Sequence, residues 1–206
     1  MVENHDVVRS PTRYGGGARG AARARAALLA VLGLPGAAYL YQGQELGLPE
    51  VDVAPQARQD PAWSRRGVPR RLPSPPAVAA RRSGACGFSP VPARRPWLPV
   101  PAGWGGYSVE TQDADPASML QLCRAALAVR RRLHLERVVT ADDPIAWIGD
   151  GDGDGRLAAQ RGESFTLVLA MGDTPVRLPE GRLLLASGPV TDEGRLPPDT
   201  AAWLLR

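Results

Sequence analysis

Lysine is absent from this chain: all 25 basic residues are arginine. Acidic residues are missing from one long stretch, with none between Asp60 and Glu110. Aromatic residues are scarce at 5%, and the cysteines number 2, Cys86 and Cys123. Each shortage excludes something. A single cysteine pair in a chain of 206 residues is no disulfide scaffold, so a reducing cytoplasm is the expected compartment. No apolar run is long enough to span a bilayer, so no membrane partner is expected. The start, Met1-Val-Glu-Asn-His-Asp6, has no basic patch followed by an apolar stretch, so no signal peptide is expected. The acid-free stretch holds Arg65, Arg66, Arg70, Arg71, Arg81, Arg82, Arg94 and Arg95, but stacking aromatics are not interleaved with them as a single-strand binder requires. No nucleic-acid partner is expected, and a basic nucleic-acid binder is the weakest alternative reading.

What is present falls into zones. Ala18–Leu32 is rich in good helix formers, with Leu28, Leu29 and Leu32 at helical spacing, and Gly33 and Pro35-Gly36 stop it. Ala37–Tyr41 is a short apolar run suited to a buried strand. Residues 50–114 are rich in Pro, Gly and Arg without a sustained period, which reads as an irregular insert. Asp115-Pro116 then reads as a helix cap with proline in the first turn, opening a helix over Ala117–Leu133. From Pro144 onward, short apolar runs alternate with turn signals. The expected strands are Ile145–Ile148, Leu157–Gln160, Phe165–Ala170, Val176–Leu178, Leu183–Ala186 and Ala202–Leu205, which together argue a small antiparallel β-sandwich.

Several phrases stand in a telling order: Asn4-His5-Asp6-Val7-Val8-Arg9, then Tyr39-Leu40-Tyr41-Gln42-Gly43-Gln44-Glu45-Leu46-Gly47 after Leu34-Pro35-Gly36. Arg58-Gln59-Asp60-Pro61-Ala62-Trp63, Gly87-Phe88-Ser89, Pro96-Trp97-Leu98-Pro99 and Val109-Glu110-Thr111-Gln112 follow. This ordered set resembles the closing third of the α-amylase-type glycoside hydrolases (family 13), in particular α-glucosidases such as the oligo-1,6-glucosidases. The resemblance implies the last two β/α units of a TIM (β/α)₈ barrel, followed by the β-sandwich. The expected divisions are 1–49 for the end of the barrel, 50–114 for the insert, 115–136 for the last barrel helix and 144–206 for the sandwich. It further implies a cofactor-free, metal-free reaction on α-glucosidic bonds of oligosaccharides. Asp6 matches the carboxylate that stabilises the oxocarbenium-like transition state, His5 a hydrogen-bond donor to the same glucose, and Arg9 a substrate-contacting arginine.

Retaining hydrolysis needs a nucleophile and an acid/base roughly 5–5.5 Å apart. In the family these stand on earlier strands, and a whole barrel takes about 250 residues. The expectation is therefore a fragment, inactive alone, whose oligosaccharide partner requires the missing barrel part. Trehalose synthase-like isomerases share the same phrases and are one alternative; a non-catalytic carbohydrate-binding or docking remnant is another.

Within 68–86 the family carries a phrase like Asp-Gly-Cys-Arg-Val-Pro-Leu-Pro-Trp, where this chain reads Arg70-Arg-Leu-Pro-Ser-Pro-Pro-Ala-Val78. The observed string can be encoded by the codons CGA CGG CTG CCG AGT CCC CCT GCC GTG, followed by G, one choice among the synonymous codons. Read one base later, they encode the family's. The hypothesis is that 68–86 is translated out of frame, which accounts for the arginine block without a ligand; incompatible codons in the gene would end it.

Other constellations read as structural. Asp150-Gly-Asp152-Gly-Asp154-Gly155 opens like a Ca²⁺ loop, but Arg161 stands where the bidentate glutamate belongs, so an acidic turn is expected. Cys123 reads as core, His134 as a cation at the negative pole of a helix, Trp97 and Trp104 as packing residues, and Glu45 as a supporting residue.

Overall fold

The computed structural model describes residues 2–57, 100–148 and 155–206. The stretch 68–86 with its frameshift hypothesis, Cys86, Trp97 and the Asp150–Asp154 loop lie outside the described residues.

A short helix α1 (Ser10–Arg13) leads through Gly15, Gly16 and Gly17, all with positive φ, into α2 (Gly17–Gly33). Ala24, Leu28, Leu29 and Leu32 of α2 are buried, the stripe expected of an amphipathic helix. Within what reads as the irregular insert, 3₁₀ turns occupy Pro55–Ala57 and Ala102–Tyr107, and α3 spans Val109–Asp113. The long helix α4 runs over Met119–Leu135. It starts later than the sequence implies, because Ser118 Oγ, and not Asp115, accepts from the Gln121 amide at 3.2 Å. Asp115 instead closes a local turn, accepting from Ala117 N at 2.9 Å.

The strands are β1 (Ile145–Ile148), β2 (Arg156–Arg161), β3 (Phe165–Ala170), β4 (Val176–Arg177), β5 (Arg182–Ala186), β6 (Arg195–Leu196) and β7 (Thr200–Leu205). Five form an antiparallel sheet in the order β1-β2-β3-β7-β5, and β4 pairs with β6 in a separate ribbon. Alternation sorts the side chains by face. Phe165, Leu167, Ala201 and Trp203 pack against Leu28, Leu29 and Leu32 of α2 and Leu122, Cys123 and Ala126 of α4, so helices and sheet share one core. Val168, Ala170, Ala202 and Leu204 face the other way and meet Val176 and Leu196 of the ribbon.

Trp203 is the keystone of the helix side. It lies 1% exposed, its indole donates to Leu29 O at 3.1 Å, and Phe165 meets it edge-on at 5.6 Å. Gly33 makes room for it, since a Cβ there would stand 2.8 Å from the indole nitrogen. The C-terminal end of α2 has no basic residue of its own. Two distant arginines cap it instead: Arg130 of α4 donates to the carbonyls of Leu32, Leu34 and Gly36, and Arg161 of β2 to those of Gly33 and Leu34.

Two expectations are corrected here. Ala37–Tyr41 is extended but pairs with no described strand, and Tyr39 is 65% exposed. An apolar run becomes a strand only when a neighbour takes its backbone hydrogen bonds, and the described sheet lies elsewhere. The positive charge expected on His134 is disfavoured. Burial first, then repulsion from Arg161 and Arg130, hold its imidazole below the usual histidine range.

Candidate active site

The Asn4-His5-Asp6 phrase forms a turn because Asn4 folds back on its own backbone. Its Oδ1 accepts from Asp6 N at 2.8 Å and Val7 N at 3.1 Å. The turn holds up His5 and Asp6, whose side chains are 73% and 70% exposed, with Nε2 and Oδ2 3.4 Å apart. At that exposure the contact contributes little binding energy of its own. What it does is set a ring N–H donor beside a carboxylate acceptor. Such a pair can grip neighbouring hydroxyls, and the carboxylate can strengthen its hold as positive charge develops nearby.

Beneath the turn lies a buried ion pair. Arg9 and Glu3 are each 2% exposed, and Arg9 Nη1 stands 3.4 Å from Glu3 Oε2. The same nitrogen donates to Gln42 O at 3.0 Å, and the guanidinium sits 5.1 Å from the centre of the Tyr41 ring. Glu3 Oε1 accepts from Ser10 N at 2.9 Å and also from Ser10 Oγ, while Arg9 N donates to Glu50 Oε2 at 2.9 Å. Arg9 Nε and Nη2 are buried without a hydrogen-bond partner among the described residues. The two flanks of the turn are therefore pinned to each other and to the 41–50 segment.

That segment is itself braced. Gly43 has φ 87, and a Cβ there would come within 2.5 Å of Leu48 and 3.2 Å of Arg9 Nη1, so only glycine lets the arginine lie where it does. Gln44 Oε1 accepts from Tyr41 N at 3.0 Å and Glu45 Oε2 from Gly43 N at 2.8 Å. Glu45 thus holds backbone, as its sequence reading implies. Gln112 ties the turn to the helices, donating to Leu46 O at 2.8 Å and accepting from Leu120 N at 3.0 Å. Leu46, Leu48, Leu120 and Trp104 close a second small core. Trp104 is a packing residue.

The structure brings His5 and Asp6 together at the surface and puts Arg9 below them. Glu3 is the residue that sequence reasoning missed. Its signal was available: an acid and an arginine bracket the Asn-His-Asp phrase, and both ends of a tight turn are close in space.

Among the described residues no three His, Cys, Asp or Glu side chains converge as a metal site would require. The Cys123 thiol is pushed up to about 11, chiefly by burial and then by Glu45, which makes it an inert core residue. No described helix is long and apolar enough to cross a membrane.

Comparison with known proteins follows the same outline. The family model described as the α-amylase catalytic domain matches residues 1–138. A probable α-glucosidase of Rhizobium meliloti (strain 1021) is 34% identical over 134 residues, 62% of this chain and 23% of that protein. The crystal structure of the α-glucosyl transfer enzyme XgtA superposes with a TM-score of 0.74 at 28% identity, over 98% of this chain and 39% of the other. The trehalulose synthase MutB from Pseudomonas mesoacidophila MX-45 gives 0.76 at 19% identity, over 98% of this chain and 42% of the other. Trehalose-6-phosphate hydrolase of Bacillus licheniformis gives 0.76 at 20%, over 98% and 42% respectively, and these last two likenesses speak to fold alone. The chain spans less than half the length of each of these relatives.

Proposed function

The chain belongs to the α-amylase family of glycosidases and glucosyl transferases, and on that premise we propose that it supplies the transition-state-stabilising part of an α-glucosidase-like active site. In this reading Asp6 accepts from sugar hydroxyls and opposes the charge that develops on the ring as the α-glucosidic bond breaks. His5 donates to the same sugar. Arg9, expected from the resemblance to contact substrate, is 2% exposed, and in this reading it contributes instead through the ion pair with Glu3 that fixes the turn. The two β/α units of a TIM barrel expected from the resemblance supply the scaffold for this turn, with β1–β7 as the accompanying sandwich, and neither cofactor nor metal takes part.

The observation that carries the reading is the exposed His5–Asp6 pair on a turn whose base is buried and locked. Bond cleavage with retention needs two further carboxyl groups across the scissile bond. Among the described residues no three His, Cys, Asp or Glu side chains converge, so no such pair of carboxyl groups gathers around Asp6. The chain by itself is therefore expected to be inactive and to act only with polypeptide that brings a nucleophile and an acid. A chromogenic α-glucoside tests both halves. No turnover by the chain alone is expected, together with turnover on adding a polypeptide that carries the remaining barrel strands, abolished by Asp6→Asn. Hydrolysis by the isolated chain would overturn the reading. Likeness to an α-glucosyl transfer enzyme at 28% identity favours a second reading, transfer or trehalose synthase-like isomerisation in place of hydrolysis. Supplying a sugar acceptor to the complemented enzyme and analysing the products decides between them.

A further inference from the structure

A hollow of about 410 Å³ opens between α2 and the end of β3, within the range of roughly 300–1,000 Å³ usual for small-molecule sites. It is away from the His5–Asp6 turn: none of residues 2–9 lines it. Small side chains make the space. Its floor is Ala26, Ala27 and Leu169, all apolar, and Met171, 63% exposed, stands at its mouth.

One wall is polar. Asp199 adopts φ 59, a conformation costly for a residue with a side chain, and so brings its carboxylate to the arginines of α2. Arg23 Nε donates to Asp199 Oδ1 at 2.7 Å and Arg23 Nη1 to Tyr14 O at 3.3 Å, leaving Nη2 with no acceptor among the described residues. Arg19 Nε takes Asp199 Oδ2 at 3.0 Å, so each carboxylate oxygen keeps one lone pair unused. The Tyr14 hydroxyl accepts from Arg13 at 3.4 Å and keeps its own proton to donate. Donors and acceptors thus alternate along one edge of an apolar floor.

The geometry points to a second, non-catalytic binding site here for a short saccharide, one pyranose unit or two. A pyranose has the matching division: a C–H face to lie on the alanines and Leu169, and a rim of hydroxyls that both donate and accept. Neighbouring hydroxyls would take Arg23 Nη2 and the spare lone pair of Asp199 together. Other chemistries fit worse. An anion would meet the carboxylates of Asp199 and Asp173, the latter paired with Arg19 at the rim. A wholly apolar molecule would cover Arg23 Nη2 and leave it unpaired. The inference goes beyond the proposed function and does not depend on the role of Asp6.

Titration of the full chain with maltose, followed through backbone amide NMR shifts, tests it. Expected are saturable shifts at residues 23–27, 169–171 and 199–200, undiminished in Asp6→Asn. Ala27→Phe fills the hollow and is expected to weaken binding by about tenfold or more. Met171→Ala, at an exposed position that cannot endanger the fold, is expected to weaken it less. Shifts confined to residues 4–9, or lost in Asp6→Asn but kept in Ala27→Phe, would overturn the second site while sparing the first. No saturable shift anywhere would overturn it as well.

Discussion

At the junction of α2 with the sheet, every strong contact has a second contact behind it: Trp203 is packed, hydrogen-bonded and given room by Gly33, and Asp199 holds two arginines at once. In the segment from Val2 to Arg9 the support is concentrated in one place. The Glu3–Arg9 pair is buried, while the His5–Asp6 tip that it carries touches almost nothing. The difference teaches where stability and chemistry are stored. Redundant contacts make the junction rigid, whereas a single buried clamp leaves the reactive pair free to meet a ligand.

Substitutions can break or sharpen this contrast. Trp203→Ala should have the largest effect, a loss of about 3–5 kcal/mol read by urea unfolding, because it empties the shared core of helices and sheet. Glu3→Ala should cost about 2–3 kcal/mol, since it strands the Arg9 guanidinium without its carboxylate. Its signature is local: faster amide exchange at Asp6 and Val7, with the junction amides unchanged.

Acid should act mainly on the junction, in two phases. Folded His134 lies below its ordinary value of about 6.5, so as the pH drops the unfolded chain takes up the proton first. Stability is therefore full above about 6.5 and declines below it, a phase that His134→Gln should remove. Asp199 follows at lower pH. Its burial pushes its carboxyl up, but the bonds from Arg23 and Arg19 more than offset that and leave it below the ordinary aspartate range. Its contribution is present above about 3.9 and lost below, and Asp199→Asn should remove that phase. Thermal unfolding across pH checks both. Smallest of all is Asp6→Asn, expected to change stability by no more than about 0.5 kcal/mol, because the side chain is exposed and its contact weak. A large loss there would show that Asp6 serves the fold.

Much of this was legible in the chain itself, for definable reasons. The helix over Gly17–Gly33 and the strands Ile145–Ile148 and Phe165–Ala170 are set by local periodicity, and they appear where the pattern puts them. The Asn4-His5-Asp6 turn is local too, its key hydrogen bonds spanning two and three residues, although the phrase reads in sequence only as the end of a strand. What the sequence hid is non-local. Arg130 and Arg161 reach α2 from some hundred residues away, β6 is two residues long, and the unpaired state of Ala37–Tyr41 depends on which strands are there to meet it. Asp115 and Ser118 compete for one cap, and only the geometry of the turn decides between them.

The borrowed cap on α2 has a consequence for the order of events on the ribosome. A helix whose last carbonyls await side chains from positions 130 and 161 stays frayed at that end while the nascent chain is short. Synthesis must run past β2 before α2 is closed off, so this helix is completed by sequence that follows it at a distance.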